Sequence, residues 1–266
     1  TKTEQTDLFQ ALYGRNGESP LAVVAAASPT DCFTMAFEAC RIAVEHMTPV
    51  ILLTDAFIGN GSSAWRVPDA DEYPEIKVRK VPAELLDGSF RPYIRDEKSK
   101  VRYWAIPGTE GCAHRLGGLE KDAVTGAIST DPANHEKMVL TRREKIARIA
   151  DDIPALEVLG DPEADTLLIG WGGTYGHLHT ATDELCAAGR KVAFAHFRYI
   201  NPLPANTHEV VSRYKRVIVA ELNTGMFADY LQARFPGKEI LRINKIQGQP
   251  FMVKELVDGV TRLMDK

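Results

Sequence analysis

From residue 164 to residue 266 the sequence repeats one pattern, a short apolar run followed by a stretch with helical periodicity. The apolar runs read TLLIGW, KVAFAHF, RVIVAEL and EILRIN, and each precedes one helical stretch, the last being VKELVDGVTRLM. Such alternation is typical of a parallel sheet, because crossover helices cover both faces and leave the strands apolar on both sides. The pattern therefore predicts an open, mainly parallel α/β sheet with right-handed crossovers.

A second unit of the same kind lies between residues 21 and 54. It consists of the apolar run LAVVAAA, the helical stretch SPTDCFTMAFEACRIAVEHM and the apolar run PVILLTD, which together predict a β-α-β unit. Ser28 and Pro29 suit the N-cap and the first helical position. Asp31 would then lie in the first turn, where the helix dipole favours a carboxylate.

The stretch between these two units is rich in turn-forming residues and charged side chains. Only NHEKMVLTRREKIARIADDI, residues 134–153, indicates a helix, and this helix ends before Pro154. We therefore predict an α/β fold of two open, mainly parallel sheet domains joined by an irregular connector. The three predicted parts are residues 1–75, 76–163 and 164–266.

The composition restricts the class of protein. Of the 266 residues 44% are hydrophobic and the formal net charge is −4, so the chain has enough apolar side chains for a substantial core. The basic residues are scattered, which argues against a track for a phosphate backbone, and we expect no nucleic-acid partner. No secretory or membrane segment stands out, so we expect no membrane partner and a cytoplasmic location.

The cysteines bear on metal binding. Cys32, Cys40, Cys112 and Cys186 lack the close pairs that zinc and iron–sulfur sites usually take from a sequence. We therefore expect no metal site on this chain, and free thiols that behave as small apolar side chains.

The glycine-rich turn IGWGGTYGH follows the first apolar run of the C-terminal part. Gly170, Gly172 and Gly176 form a variant of the dinucleotide fingerprint, in which glycines let a pyrophosphate approach a helix N-terminus. The fingerprint also needs an acidic residue about twenty residues further on, where this chain has HFR, residues 196–198, instead. Because Arg198 could accept a 2′-phosphate, an NADP-dependent reductase is one alternative, and close packing of the turn is another.

Three short motifs in the C-terminal part resemble a known family. GGTYG, INPLP and ELNTGM stand where alpha subunits of 2-oxoacid:ferredoxin oxidoreductases usually have G-S-T-Y-G, L-x-P-L-P and E-x-N-x-G-Q. This part of the chain therefore resembles the transketolase-C-terminal-like domain of those subunits. Gly173 replaces the usual serine and Met226 the usual glutamine, so no polar role is carried over to these two positions.

The resemblance covers nearly the whole chain. TKTEQTDLFQALYGRNGESP is similar to the family segment that follows R-G-G-P-S-T-G-x-P, and residues 1–75 resemble the C-terminal part of a pyrimidine-binding domain for thiamine diphosphate. The connector segment IPGTEGCAHRLGGLEKDAVTGAISTDPANHEKM resembles the branch of the family that uses 2-oxoglutarate. The chain is thus similar to the C-terminal part of an alpha subunit of that branch.

The resemblance implies oxidative decarboxylation of a 2-oxoacid, here 2-oxoglutarate, to succinyl-CoA and CO2, with electrons passed to ferredoxin. Thiamine diphosphate supplies the difficult chemistry. It would be shared with a partner beta subunit, which is expected to hold Mg²⁺ and the iron–sulfur cluster. Coenzyme A accepts the acyl group. These expectations make the beta subunit, ferredoxin, the 2-oxoacid and coenzyme A the partners of this chain.

The resemblance also implies that this chain lacks part of the active site. The family's cofactor-activating glutamate and substrate-binding arginine precede the position of Thr1. The catalytic residues are therefore expected upstream of Thr1 and in the beta subunit, and the segment alone is expected to be inactive. A non-catalytic assembly module remains a further alternative for the segment.

Three residues are candidates for the site. Thr1 matches the last threonine of the family's P-S-T-G-x-P-T run, and the resemblance gives it a substrate-binding role. Thr1 and Glu4 also fit a capping box for a helix over EQTDLFQALY, which is compatible with substrate bound at the helix start. Arg15 and Asn16 lie in a glycine-bounded loop and are predicted at the active-site rim, with a solvated turn in which Arg15 pairs with Glu18 as the alternative.

Other polar residues are expected to have structural roles. Asp55 follows a predicted strand, where ligands of parallel sheets gather, but aspartate is also an ordinary turn former. Glu221 and Asn223 are expected to tie a strand end to the next helix. His177 and His179 lie two residues apart and cannot share a helix face, which argues against a metal pair.

Overall fold

The computed structural model describes residues 2–266, so Thr1, the predicted substrate-binding residue, lies outside the described residues. The helices are α1 (Leu8–Tyr13), α2 (Asp31–Glu45), α3 (Ala56–Asn60), α4 (Pro132–Arg148), α5 (Tyr175–Ala187), α6 (Thr207–Arg213), α7 (Met226–Gln232) and α8 (Val253–Met264). The strands are β1 (Ala22–Ala25), β2 (Val50–Leu53), β3 (Val158–Gly160), β4 (Thr166–Trp171), β5 (Val192–Phe197), β6 (Tyr199–Asn201), β7 (Arg216–Glu221) and β8 (Ile240–Asn244). They form two sheets, ordered β2-β1-β6 and β3-β5-β4-β7-β8.

The five-stranded sheet contains the four strands that the apolar runs predict, β4, β5, β7 and β8. All contacts among these four are parallel, and Leu168 of β4 pairs with both Phe194 of β5 and Ile218 of β7. Strand β3 joins one edge, antiparallel to β5. The sequence pattern did not predict β3, because a strand of three residues carries too short a periodic signal.

Both faces of the five-stranded sheet are buried, as expected for parallel strands. On one face Leu168 and Ile218 pack in a cluster with residues of α5 and α8. On the other face Ile169 belongs to a cluster that also contains Leu8 of α1 and Val23 of β1. The two sheets therefore share one continuous hydrophobic cluster.

The three-stranded sheet combines elements from both ends of the chain. Strands β1 and β2 are parallel, with Ala22 opposite Val50, whereas β6 pairs antiparallel with β1. Only Arg198 separates β5 from β6, so the chain passes there from the large sheet to the small one. The sequence pattern did not predict β6, which has three residues. The predicted fold class, α/β with two mainly parallel sheets, is confirmed, and each sheet carries one antiparallel edge strand.

The N-terminal helix begins later than predicted. Helix α1 begins at Leu8, and residues 2–5 belong to no helix or strand. In this segment the Thr3 amide donates to the Gly248 carbonyl at 3.2 Å, and the Gln5 amide donates to the Leu222 carbonyl at 3.1 Å. The predicted capping box was wrong, since Glu4 lies outside the helix. The backbone amides of this segment instead form hydrogen bonds with loops of the large sheet.

Two other helices also differ from their predicted starts. Helix α2 begins at Asp31, and the Ser28 hydroxyl accepts its N–H at 3.1 Å, so Ser28 still satisfies a free amide of the first turn. Helix α4 begins at Pro132 because the Asp131 carboxylate accepts two N–H groups of its first turn. A 3₁₀ turn over residues 149–151 follows α4. None of the helices described for residues 2–266 combines the length and apolarity needed to cross a membrane.

The chain between α3 and α4 has little regular structure, as its weak periodicity predicts. It forms two 3₁₀ turns, at Ala70–Glu72 and Ala83–Leu85, and several isolated bridges. Trp104 attaches this segment to α2, since its indole N–H donates to the Val44 carbonyl at 2.9 Å.

Candidate functional site

The carboxyl ends of strands from both sheets meet where the sheets join. Asp55 lies just after β2, Trp171 ends β4, and Leu222 follows β7, while the segment before α1 brings Gln5 between them. Ligands of parallel sheets bind beyond the carboxyl ends of the strands, which makes this junction the candidate functional region. We call the following set the junction cluster: Gln5, Asp55, Trp171, Gly172, Gly173 and Leu222.

Asp55 connects the two sheets through both of its carboxylate oxygens. Its Oδ1 accepts the N–H groups of Phe57 and Ile58 at 2.8 and 3.2 Å and so caps α3. Its Oδ2 accepts the N–H of Gly173 at 3.1 Å. Asp55 is thus a turn former, as expected, and in addition it holds the glycine turn of β4 against the end of β2.

The glycines of the turn allow this close approach. A Cβ at Gly173 would lie 2.1 Å from Asp55 Oδ2, and one at Gly170 would lie 2.1 Å from Leu178 Cδ1. Gly172 has a φ of +57°, which favours glycine. A Cβ at this residue would lie 2.8 Å from Gln5 Nε2. The turn therefore serves packing between the sheets. A carboxylate already occupies the Gly173 N–H and would repel a diphosphate placed there.

Gln5 is the residue that the sequence analysis missed in this region. Its side chain is buried, its Nε2 donates to the Trp171 carbonyl at 2.7 Å, and its Oε1 accepts the Leu222 N–H at 2.9 Å. Its own carbonyl accepts from the Asn223 amide at 2.9 Å. One side chain thus forms hydrogen bonds with a backbone carbonyl at the end of β4 and with a backbone amide just after β7. No local motif marks a glutamine for this role.

Glu221 is fully buried at the end of β7. Its carboxylate accepts the N–H groups of Phe227 and Ala228 at 2.9 and 3.0 Å and the Trp171 indole N–H at 3.3 Å. Burial raises the pKa of Glu221 above its usual range, although these hydrogen bonds act in the opposite direction. The carboxylate therefore ties a strand end to the start of α7, as expected.

Asn223 completes the same connection. Its Oδ1 accepts the N–H groups of Gly225 and Met226 at 2.7 and 2.9 Å, while its Nδ2 binds the Gln5 carbonyl. Asn223 therefore satisfies amides at the start of α7. At Met226 the backbone amide, not the side chain, takes part in this network.

A groove of about 550 Å³ lies between the start of α2, strand β5 and the segment of residues 154–159. Asp31 and Arg198 form an ion pair in this groove, with Arg198 Nε 3.1 Å from Asp31 Oδ2. The same carboxylate oxygen accepts the Ala27 N–H at 2.9 Å. Arg198, the candidate for a 2′-phosphate, is therefore already paired with a carboxylate that is itself held by the backbone.

His196 links this groove to the glycine turn. Its Nε2 donates to the Gly172 carbonyl at 3.0 Å, and its Nδ1 is buried without a partner among the described residues. Burial lowers the pKa of His196 to about 3, so the ring is neutral at physiological pH. With the proton on Nε2, Nδ1 is left as an acceptor, and the ring positions the turn without adding charge.

The loop after α1 contains the predicted rim residues. The Arg15 guanidinium donates to the carbonyls of Ala11, Leu12 and Ser19 at 2.6, 2.7 and 3.1 Å and thereby closes the helix end. Its partners are carbonyls and not Glu18. Asn16 is exposed. Their assignment to an active-site rim stays a prediction.

The junction as a whole is a hydrogen-bonded wall between the two sheets. The polar side chains of the junction bind backbone groups, and residues 2–266 contain no cluster of three or more His, Cys, Asp or Glu side chains placed to hold a metal ion. The four cysteines are free thiols. Such a wall can position a ligand or a second protein.

The chain is similar in sequence to subunits of 2-oxoacid oxidoreductases. Residues 1–129 match the family model described as pyruvate flavodoxin/ferredoxin oxidoreductase, thiamine diP-bdg. The chain is 49% identical over 259 residues to the 2-oxoglutarate oxidoreductase subunit KorA of Mycobacterium tuberculosis, an alignment that covers 96% of this chain. It is 32% identical over 270 residues to the alpha subunit of a 2-oxoacid:ferredoxin oxidoreductase of Aeropyrum pernix, covering 98% of this chain and 41% of that subunit.

The chain is a homologue of 2-oxoacid:ferredoxin oxidoreductase alpha subunits. Its fold agrees with this relationship: it superposes on the 2-oxoglutarate:ferredoxin oxidoreductase from Magnetococcus marinus, a structure with 2-oxoglutarate, coenzyme A and succinyl-CoA bound. The TM-score is 0.88, at 30% identity and 98% coverage of this chain. This alpha-subunit homologue spans 38% of the length of the Mycobacterium tuberculosis subunit and 45% of the Magnetococcus marinus chain.

Proposed function

We propose that the chain forms part of the alpha subunit of a thiamine-diphosphate-dependent 2-oxoacid:ferredoxin oxidoreductase. The substrate is 2-oxoglutarate, which the complete enzyme converts to succinyl-CoA and CO2 while two electrons pass to ferredoxin. The observation that carries this proposal is the 49% identity to a 2-oxoglutarate oxidoreductase subunit over 96% of the chain. The superposition on a 2-oxoglutarate enzyme supports it further.

In this proposal the three parts of the chain have different tasks. Residues 1–75 are the C-terminal part of the pyrimidine-binding domain, residues 76–163 are the connector, and residues 164–266 are the transketolase-C-terminal-like domain. The shared hydrophobic cluster and the bonds of Gln5 and Asp55 keep the first and third parts in one fixed arrangement. A fixed wall is what catalysis by positioning requires.

The described residues do not fit the diphosphate of the cofactor at the glycine turn. Asp55 occupies the Gly173 N–H there, and its negative charge opposes a phosphate. The proposal therefore assigns the diphosphate, Mg²⁺ and iron–sulfur sites to a partner beta subunit. When bound, thiamine diphosphate supplies the nucleophile and the electron sink. Thr1 contacts the substrate, and Arg15 and Asn16 lie at the rim.

An NADP-dependent reductase is the weaker alternative. It requires the turn to bind a pyrophosphate and Arg198 to bind a 2′-phosphate, but the Gly173 amide faces Asp55 and Arg198 pairs with Asp31. Hydrogen exchange tests this alternative directly. We expect no protection of residues 170–176 at saturating NADPH, whereas protection would favour the reductase.

The proposed activity is tested with the full-length alpha subunit assembled with its beta partner. We expect reduction of a low-potential viologen dye that depends on both 2-oxoglutarate and coenzyme A, and that is slower with pyruvate. Omitting the beta subunit should abolish the reaction. If the assembled complex binds thiamine diphosphate but reduces no dye with any 2-oxoacid, the chain is an assembly module. The expected location of this complex is the cytoplasm.

A further inference from the structure

A cavity of about 400 Å³ lies in the connector, where it packs against α4. Five cationic side chains line it, and the lining residues include one carboxylate. We call this the cationic cavity, and its charged residues are Arg95, Arg102, Glu120, Lys121, Arg142 and Lys145. Like charges repel one another, so their concentration in one cavity needs an explanation.

The one carboxylate is already engaged. Glu120 accepts from Arg142 Nη1 at 3.1 Å and lies 2.6 Å from His135 Nδ1. Among the ion pairs of the described residues, none contains the other four cations of the cavity, Arg95, Arg102, Lys121 and Lys145. The cavity therefore carries an excess of positive charge.

Neutral carbonyl groups hold these four cations in place. Lys145 Nζ donates to the Met47 carbonyl at 2.6 Å, and Lys121 Nζ donates to the Leu119 carbonyl at 2.8 Å. Lys121 is buried. Each ammonium group keeps further donors that these bonds do not use, since a lysine has three. The cations are thus oriented by the fold without being neutralised by it.

The two arginines are also fixed. Arg95 donates from Nη1 to the Lys100 carbonyl at 2.9 Å, while its Nε is buried and has no partner among the described residues. The Arg102 guanidinium stacks over the Tyr93 ring, 4.5 Å from the ring centre. Stacking leaves the edge of a guanidinium available for hydrogen bonds, and that edge matches the oxygens of a phosphate.

Burial and mutual repulsion act on the acid–base behaviour of the cavity. They lower the pKa of Lys145 to about 8 and that of Arg95 to about 10, in each case with burial as the larger cause and the neighbouring arginines as the second. A fold that holds such charges together without a counter-ion is destabilised by them. A bound anion removes this penalty.

We propose that the cationic cavity binds a phosphoryl anion with more than one negative charge. A single carboxylate neutralises one cation, whereas a diphosphate supplies several charges and the acceptor oxygens that the guanidinium edges and ammonium groups can bind. The site is separate from the junction cluster and does not depend on the proposed reaction. Its ligand class is a small molecule with a phosphate or diphosphate group.

Pyrophosphate is the probe for this site. Its binding is measured by calorimetry on the full-length alpha subunit assembled with its partner, saturated with thiamine diphosphate and held at constant ionic strength. We expect Arg102→Gln and Lys145→Gln each to weaken the binding by about tenfold or more, because each removes a charged hydrogen-bond donor. Lys254→Gln, which alters an exposed lysine of α8, is the matched control and should bind like the wild type.

A second measurement separates a binding role from a purely structural one. Without pyrophosphate, Lys145→Gln should melt at a higher temperature than the wild type, because the variant lacks one repelling charge. With pyrophosphate the wild type should gain more in melting temperature than the variant. Equal gains in wild type and both variants, or stabilisation of the wild type no greater than by sodium chloride at the same ionic strength, would overturn the proposal. Equal binding of citrate would overturn the assignment to a phosphoryl anion.

Discussion

The carboxylate of Asp55 accepts the backbone N–H of Gly173 over an N···O distance of 3.1 Å, although 118 positions separate the two residues in the chain. This bond joins the carboxyl end of β2 to the carboxyl end of β4. It leaves no room for a side chain at residue 173, where the related alpha subunits usually have serine. The glycine turn is therefore a contact between the sheets, and its chemistry differs from that of a nucleotide-binding loop.

Gly173→Ala should destabilise the fold. The new Cβ would lie 2.1 Å from Asp55 Oδ2, and we expect a loss of about 1–3 kcal/mol in the free energy of unfolding from this overlap. Gly176→Ala is the matched control, because no atom lies within 4 Å of its Cβ position and Gly176 is in α5. Alanine is the better helix former, so the control should be neutral or more stable. Equal effects in denaturant titrations of both variants would contradict the packing role.

Gln5→Ala should destabilise the fold. The change leaves the buried Leu222 amide without its side-chain partner, whereas the Trp171 carbonyl keeps the Thr174 hydroxyl, and we expect a cost of roughly 1–3 kcal/mol. Thr6→Ala, at the exposed neighbouring residue, should stay close to the wild type. Chemical denaturation measures both variants, and a Gln5→Ala protein as stable as Thr6→Ala would refute the bridging role of Gln5.

His196 should make the fold sensitive to acid. Because burial lowers its pKa from 6.5 to about 3, the unfolded chain binds the proton more readily than the folded one between these values. The free energy of unfolding should therefore fall as the pH drops from about 6.5 towards 3, by roughly 1–3 kcal/mol from this residue. His196→Gln should flatten that slope, whereas His208→Gln, at an exposed histidine, should follow the wild type. Parallel slopes for all three proteins would rule out this role of His196.

Lys145 should also make the free energy of unfolding depend on pH, and its effect should appear in the alkaline range. Burial and the neighbouring Arg95, Arg102 and Arg142 lower its pKa from 10.5 to about 8, so the unfolded chain binds more protons between these values. Without a bound anion the wild type should gain stability relative to Lys145→Met as the pH rises from about 8 to 10.5. At neutral pH the Met variant should be the more stable by roughly 1–3 kcal/mol. Comparing the two proteins cancels the titration of other groups, and a constant difference across this range would contradict the expectation.

The sequence predicted those parts of the fold that depend on local pattern. The apolar runs around Leu168, Phe194 and Ile218 predicted the parallel strands correctly, because a strand buried on both faces must be apolar throughout. The sequence pattern did not predict a strand that forms through pairing with a neighbouring strand and not through its own composition. Tyr199–Asn201 becomes β6 only because β1 offers an open edge.

The junction was predictable only in part. Glycine at residues 170–173 indicated close approach, but the partner, Asp55, could not be identified from spacing over such a distance in the chain. Gln5 carried no signal, because a buried amide is recognised by what surrounds it and not by its neighbours in sequence. The helix predicted over residues 4–13 begins late, at Leu8, for a related reason, as the amides of Thr3 and Gln5 form hydrogen bonds with distant loops.

Product analysis of the complete alpha–beta complex shows directly whether the enzyme is a 2-oxoglutarate:ferredoxin oxidoreductase. We incubate it with 2-oxoglutarate labelled with ¹³C at C1, coenzyme A and an oxidised one-electron viologen, and follow CO2 and acyl-CoA by mass spectrometry. We expect labelled CO2 and unlabelled succinyl-CoA in equal amounts, two reduced viologens for each, and no product when coenzyme A is left out. Turnover that needs NADPH instead, or no succinyl-CoA from a complex saturated with thiamine diphosphate, would contradict this expectation.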